Sequence, residues 1–176
     1  MSDASAVSDA GPLLALAKLE ALDLLAQLYN VVYVSPIVFQ ETVVAGLAQD
    51  APDALLLQKY FDRGIFKSEP VQSPSSLNES LKIHKGERES IQLALQLRIP
   101  EFLVDDARAR RVAEQNFASV QSKITVRGTL GVIFLNFQKR SLSRDRAVHL
   151  IETIKLRRDI WISAELCERV LHLIRA

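Results

Sequence analysis

Short apolar runs alternate along the chain with longer segments in which apolar residues recur at helical spacing. The runs predict buried strands at 4–8, 31–34 (Val-Val-Tyr-Val), 65–66, 102–104 and 124–126. The longer segments predict helices at 13–28 with a break near Glu20, 36–47, 54–61, 87–97, 108–115, 129–137, 144–155 and 163–174. This alternation is typical of an α/β fold with three layers, in which helices cover both faces of a mostly parallel sheet.

Local signals mark several boundaries of these helices. Pro12 and Pro36 suit the first turn of a helix, Ser35 is an expected N-cap, and Pro100 is expected to end the helix that follows Gly86. The stretch 67–80 (KSEPVQSPSSLNES) is the most loop-like, yet it is too short to predict a domain boundary. Without internal repeats or a clear linker, we expect residues 1–176 to form one domain.

Composition narrows the class of protein. Apolar residues make up 48% of the 176 positions and charged residues 24%, which excludes disorder as the main state. No apolar run approaches the roughly 18 residues of a membrane span, and Asp3 and Asp9 stand where a secretory signal would be basic and apolar. Cys167 is the single cysteine, so we expect a cytoplasmic protein without an internal disulfide.

The net charge of +1 conceals an uneven distribution of charge. Residues 1–100 carry 8 basic and 12 acidic side chains, whereas residues 101–176 carry 14 basic and 9 acidic ones. Three basic clusters lie in the second half, at 108–111, 139–146 and 155–158. Any one of them is compatible with a solvated helix face, but together they favour a surface that binds a polyanion.

Acidic residues follow the predicted strands at the points where parallel sheets form their sites. Asp9 follows the first strand, and Asp105 and Asp106 follow the strand at 102–104. Glu41 lies near the start of the helix after the second strand, and Glu87 lies in the first turn of another helix.

Helical phase predicts which of the glutamates point inward. Glu41 shares a face with Ile37, Val44 and Ala48, and Glu87 with Ser90, Ile91, Ala94 and Arg98. Glu89 is predicted to face the polar stripe of Arg88, Gln92 and Gln96. A helix-capping carboxylate or a buried salt bridge would explain either inward glutamate alone. The two together with the strand-end aspartates favour a functional cluster.

Converging carboxylates need a proton or a cation. Two unit charges 4 Å apart repel by roughly 4 kcal/mol at an effective dielectric constant of 20. An all-oxygen site with room for water suits Mg²⁺ or Mn²⁺ better than zinc. Such a site favours metal-assisted attack of water on a phosphodiester, because the ion activates water and offsets charge on the phosphate oxygens.

Six short blocks resemble the PIN domain family, in particular a prokaryotic branch of unknown function related to toxin–antitoxin ribonucleases. The blocks are 7–18 (VSDAGPLLALAK), 36–41 (PIVFQE), 86–91 (GERESI), 103–113 (LVDDARARRVA), 128–132 (GTLGV) and 161–166 (WISAEL). Each is weak alone, but their order and spacing cover most of the chain, from about residue 6 to 173. The stretch 116–127 is longer than is usual in the family.

The resemblance implies an α/β/α nuclease whose acidic cluster binds Mg²⁺ or Mn²⁺. Carried over by motif, the metal-binding and catalytic set is Asp9, Glu41, Glu87 and Asp105. Glu89 and Asp106 are rivals for two of these roles or additional side chains near the site. Thr129 matches a hydroxyl position near the site, with a helix N-cap as the alternative.

The leading function is therefore a metal-dependent endoribonuclease, the toxin of a toxin–antitoxin pair. RNA, single-stranded or structured, is the expected substrate, and a cognate antitoxin is the expected protein partner. Arg108, Arg110 and Arg111 are the best placed to contact RNA phosphates. The apolar 13–28 stretch could contribute to a homodimer, although it is more simply core.

Two other functions compete with this prediction. A non-catalytic PIN-like binding module would keep the fold but act through partner contacts, and the retained acidic set argues against it. A phosphoacceptor receiver domain also carries acidic groups at strand ends, but its acidic pair comes early in the chain, whereas the pair here comes late. Trp161 is expected to be a packing anchor or part of a subunit interface.

Overall fold

A computed structural model describes residues 4–72 and 83–176. The described chain contains one sheet of five parallel strands in the spatial order β3-β2-β1-β4-β5. The strands are β1 (Ser5–Ser8), β2 (Val31–Val34), β3 (Phe66–Ser68), β4 (Glu101–Leu103) and β5 (Thr125–Arg127). All five predicted strands are therefore confirmed to within two residues.

The helices also follow the predicted pattern. They are α1 (Ala10–Lys18), α2 (Asp23–Leu28), α3 (Pro36–Phe39), a π-helical segment (Gln40–Val44), α4 (Ala45–Leu47), α5 (Pro52–Asp62), α6 (Lys85–Leu97), α7 (Ala107–Ser119), α8 (Thr129–Gln138), α9 (Arg144–Leu156) and α10 (Ala164–Arg175). The break near Glu20 is confirmed, since this residue has a left-handed backbone with φ of 52° between α1 and α2. Helix α7 extends to Ser119 and occupies part of the long 116–127 stretch.

Local chemistry accounts for most of the helix ends. The Ser35 hydroxyl accepts a hydrogen bond from the Val38 N–H at 3.3 Å, and Pro36 begins α3, as predicted. Helix α6 ends at Leu97, the residue predicted. Arg98 forms the C-cap in a left-handed conformation with φ of 52°, and Pro100 follows two residues beyond it.

Hydrophobic residues form one core on each face of the sheet. The larger core packs α1, α2, α8, α9 and α10 against one face, and the smaller core packs α6 and α7 against the other. Successive strand residues alternate between them, so that Ala6 lies in the larger core and Val7 in the smaller. The three-layer prediction is therefore confirmed. The apolar 13–28 stretch is core, with Leu16 and Leu24 fully buried.

The strand order places a topological switch point between β1 and β4. The chain runs from β1 outward through β2 and β3, and then returns to the other side of β1 with β4. Ligands of open parallel sheets bind at such a point, outside the carboxyl ends of the strands. Asp9 follows β1 there, and its N–H donates to the Leu103 carbonyl of β4 at 2.9 Å.

The predicted face of Glu41 is only partly right. Glu41 and Ile37 share the side that faces Gly86 of α6, but Glu41 and Val44 are exposed, and the buried residues of this segment are Val38, Thr42 and Val43. The π-helical turn at Gln40–Val44 changes the angular step between residues, so that a constant 100° rotation misplaces the apolar face. None of the helices in residues 4–72 and 83–176 combines the length and apolarity needed to cross a membrane.

Candidate acidic active site

A cavity of about 310 Å³ opens at the carboxyl ends of β1 and β4. Four of the predicted acidic residues line it, namely Asp9, Glu87, Asp105 and Asp106. We call this the acidic cavity. Three different elements bring these carboxylates together: the end of β1, the first turn of α6, and the loop between β4 and α7.

Asp9 is the most strongly perturbed of these carboxylates. It occupies the N-cap position of α1 and is only 7% exposed. Burial is the main cause that raises its pKa from 3.8 to about 7. The negative charges of Glu87 and Glu41 raise the pKa further, while the backbone N–H groups of Ala10 and Gly11 lower it. Asp9 therefore binds a proton or needs a cation near neutral pH.

Asp105 is held by both polar groups of Thr129. The Thr129 N–H donates to Oδ1 at 2.7 Å, and the Thr129 hydroxyl donates to Oδ2 at 2.6 Å. Burial raises the pKa of Asp105, and these hydrogen bonds together with the charge of Arg110 counteract the rise. The N-cap alternative for Thr129 is wrong, since α8 begins at Thr129 itself and Gly128 is its N-cap.

Glu87 combines a capping role with a position at the cavity. Its Oε2 accepts the His84 N–H at 2.7 Å, as in a capping box. Burial, followed by the charge of Asp106, raises its pKa, while the His84 N–H and the charges of His84 and Arg108 lower it. The residues predicted to share the inward face of α6 with Glu87 are buried, namely Ser90, Ile91 and Ala94.

Glu41 reaches the same region from the helix after β2. A methyl group placed at Gly86 would lie 3.3 Å from Oε2 of Glu41, so the carboxylate packs against the first turn of α6. Its charge acts on Asp9.

The two rival acids take different positions. Asp106 caps α7, because its Oδ1 accepts N–H groups of Arg108 at 2.8 Å and Ala109 at 2.7 Å. Glu89 is half-buried and lies outside the acidic cavity as the described residues define it. The polar stripe predicted beside Glu89 is wrong at Gln92, which is only 8% exposed.

The three predicted RNA-binding arginines differ in their surroundings. Arg110 donates to the carbonyls of Val104 and Val126, each at 3.2 Å, and lies 3.8 Å from Glu114. It therefore ties α7 to the ends of β4 and β5. Arg108 and Arg111 are exposed on α7, and the charge of Arg108 reaches Glu87.

The side chains of the acidic cavity are of the type that binds Mg²⁺ or Mn²⁺, but they are not spaced closely enough to coordinate the ion as they stand. Its acidic side chains offer oxygen ligands, and the buried Asp9 has a pKa that a cation would restore to an acidic value. Within residues 4–72 and 83–176, however, no three Asp, Glu, His or Cys side chains are grouped closely enough to hold a metal ion. The donor set thus suits the ion by type, and the ligands would have to move together around it.

The model of a PIN-domain family of unknown function matches residues 5–176. The chain belongs to the PIN domain family. The comparisons with curated proteins and with solved structures found no significant match. PIN domains are generally nucleases, and this one carries its acidic cavity at the switch point of its parallel sheet.

Among the residues that line the acidic cavity of this PIN domain without having been predicted there, three carry a charged or aromatic side chain. They are Lys18, Asp159 and Trp161. Lys18 donates to the Asp159 carbonyl at 2.9 Å, and its Nζ lies 3.4 Å from Asp159 Oδ2. Lys18 and Trp161 stand within blocks that resemble the family, which was the only available signal. Asp159 has none, because its contact joins positions 141 residues apart.

Two glycines of the PIN domain face the Asp105 carboxylate and allow a matched test. A methyl group at Gly128 would lie 2.7 Å from Asp105 Oδ1 and 3.2 Å from Arg110 Nη2, whereas one at Gly11 would lie 3.5 Å from Asp105 Cβ. We expect Gly128→Ala to lower the free energy of unfolding by about 1–3 kcal/mol through steric overlap. Gly11→Ala is expected to change it by about 0.5 kcal/mol or less. Urea unfolding measures both, and equal effects would contradict the close packing at Gly128.

Proposed function

We propose that this PIN domain is an endoribonuclease that depends on Mg²⁺ or Mn²⁺. The observation that carries the proposal is the buried Asp9 carboxylate, whose pKa of about 7 reflects burial and the neighbouring charges of Glu87 and Glu41. Such a group is costly to the fold unless a cation offsets it. Membership of a nuclease family gives a reason for the protein to keep this unfavourable buried carboxylate, because a nuclease can use it to bind a metal ion.

Each acidic side chain has a distinct part in this proposal. Asp9, Glu87 and Asp105 would hold the ion from the cavity walls, and Glu41 would add negative charge from the side of α6. The bound ion supplies Lewis-acid chemistry, lowering the pKa of water and offsetting charge on phosphate oxygens. Thr129 keeps both oxygens of Asp105 in fixed directions through its two hydrogen bonds. Asp106 orients the start of α7, where the arginines begin.

RNA phosphates need cations near the acidic cavity. Arg108 and Arg111 project from the exposed part of α7, immediately after the Asp105-Asp106 pair. Arg110 contributes by holding the strand ends, through its bonds to Val104 and Val126. Metal-assisted attack of water does not use the 2′-hydroxyl, so the preference for RNA over DNA in this proposal rests on the family.

We extend the proposal to the biological role of a toxin with a protein antitoxin. An antitoxin segment would place a basic side chain among Asp9, Glu87 and Asp105, where it would compete with the metal ion electrostatically. Negative charge concentrated in one cavity of about 310 Å³ suits a single Lys or Arg side chain.

The direct test is cleavage of a labelled single-stranded RNA by the purified protein. We expect cleavage with Mn²⁺ or Mg²⁺ and none with EDTA. RNA or protein binding that persists while no RNA is cleaved with any divalent ion would contradict the nuclease and favour the non-catalytic binding module.

A second test compares two glutamates of α6. Glu87 lines the acidic cavity and Glu89 does not among the described residues, so Glu87→Gln should raise the Mn²⁺ concentration for half-maximal activity by about 10-fold or more. Glu89→Gln should leave it within about twofold. In Glu87→Gln the amide oxygen can still accept the His84 N–H, which preserves the cap. A larger effect at Glu89 would contradict the assignment of Glu87.

A further inference from the structure

Trp161 is a large aromatic side chain that the fold leaves in solvent. It is 91% exposed, in the segment between α9 and α10. Of the two roles expected for it, the packing anchor is therefore wrong, and the subunit interface stays a prediction. An indole ring of this size normally buries most of its surface or contacts a ligand.

The backbone on both sides of Trp161 is nevertheless anchored. Ile160 is only 7% exposed. Asp159 forms an ion pair with Arg157 at 2.8 Å and accepts the Lys18 hydrogen bond. Ser163 caps α10 through a bond from the Leu166 N–H at 3.3 Å. The exposed ring is thus presented from a fixed segment, which is what a binding platform requires.

The ring stands where two cavities meet. Trp161 lines the acidic cavity and also a groove of about 680 Å³ between the first turn of α8 and α10. We call the second one the α8–α10 groove. Asp105, Asp106 and Ile162 likewise line both. A chain lying in the α8–α10 groove would therefore pass Trp161 on its way to the acidic cavity.

Three arginines line the α8–α10 groove, namely Arg110, Arg127 and Arg169, against the two aspartates that it shares with the acidic cavity. Arg127 is paired with Glu101 at 2.8 Å, whereas Arg169 is exposed and forms no ion pair within the described part of the chain. Cations that follow a backbone beside an aromatic platform are the usual arrangement for binding single-stranded nucleic acid.

We propose that Trp161 stacks on an unpaired base of a single-stranded nucleic acid whose backbone enters the acidic cavity from the α8–α10 groove. This inference rests on the proposed nuclease function and adds a requirement to it, namely an unpaired base beside the phosphate that is cut. A base inside a duplex is already stacked on both faces and offers no free face to the ring.

The chain offers a built-in reporter for this contact, because Trp161 is its only tryptophan. We expect a short single-stranded oligoadenylate, added in EDTA to prevent cleavage, to quench the tryptophan fluorescence to saturation. A blunt duplex of the same length should leave the fluorescence nearly unchanged. Equal quenching by both, or quenching by neither while the single strand binds by anisotropy, would overturn the stacking contact.

Variants separate stacking from other contributions of the side chain. Trp161→Ala should weaken binding of the oligoadenylate by roughly 5- to 100-fold, and Trp161→Phe should recover most of the affinity. The salt dependence of binding should not change, because no phosphate contact is removed. Leu156→Ala is the matched control, since Leu156 is 84% exposed and lies outside both cavities as described. An affinity of Trp161→Ala equal to that of the control would overturn the proposal.

Different experimental outcomes would overturn the stacking proposal and the nuclease proposal. Metal-dependent cleavage with unchanged binding by Trp161→Ala would overturn the stacking role alone. Binding that depends on Trp161 without any cleavage would overturn the nuclease alone. Light scattering tests the other possible partner of the ring, a second copy of the chain. A loss of dimer mass in Trp161→Ala, with unchanged affinity for the oligoadenylate, would assign Trp161 to an interface between two copies and overturn stacking.

Discussion

We expect Asp9→Asn to slow metal-dependent RNA cleavage by about 100-fold or more. Residues that only support a metal ligand already cost 10–100-fold when they are replaced, and Asp9 is a buried carboxylate that lines the acidic cavity and is proposed to hold the ion directly. Asparagine keeps the size of the side chain but removes its charge, so that the fold is retained. Single-turnover cleavage of a labelled RNA with Mn²⁺ in excess measures the effect.

The same variant tests the toxin role in cells. Expression of the wild-type protein in a bacterial host should slow growth and deplete RNA, and Asp9→Asn should do neither. Co-expression of the protein encoded beside it should restore growth of the wild-type culture. Glu89→Gln provides the control, and it should remain as toxic as the wild type. Equal toxicity of Asp9→Asn and the wild type would contradict catalysis and favour the binding module.

The sheet could be predicted from the sequence because each strand contains or adjoins a short apolar run. Val31–Val34 was predicted with its observed bounds, since Asn30 and the Ser35-Pro36 pair delimit the run. Alternation of such runs with amphipathic segments has few solutions other than a parallel sheet between helices. The sequence pattern failed where the backbone departs from ideal geometry. The π-helical turn at Gln40–Val44 carries no signal in hydrophobic spacing.

Only part of the site could be predicted from the sequence. Asp9 and Asp105 could be placed at one edge, because parallel strands align their carboxyl ends. The contact of Lys18 with Asp159 and the position of Trp161 depend instead on where the segment between α9 and α10 packs. Such contacts between distant positions leave no local pattern. The exposure of Trp161 has the same origin, since an aromatic residue in a connecting segment is equally compatible with a packing anchor.

Asp9 should also make the metal-free protein less stable as the pH rises. Its folded-state pKa of about 7 lies above its ordinary value of 3.8, so the folded chain holds the proton more tightly than the unfolded chain. Below about pH 4 both states are protonated and Asp9 costs nothing. Between about pH 4 and pH 7 the cost grows, and above about pH 7 it is constant at up to roughly 4 kcal/mol.

We therefore expect Asp9→Asn to raise the free energy of unfolding by a few kcal/mol at pH 8 in EDTA, and to have no such effect near pH 4. Urea unfolding at both pH values measures the difference. For the wild type at pH 8, Mn²⁺ at 100 times its Kd should add about 2.7 kcal/mol, which raises Tm by roughly 5–10 °C for a domain of this size. This response should be largely lost in Asp9→Asn, because its charge is what the cation offsets. Destabilisation of the metal-free protein by Asp9→Asn at pH 8 would show that the carboxylate is compensated in another way, and an equal Mn²⁺ response in both proteins would exclude Asp9 as a ligand.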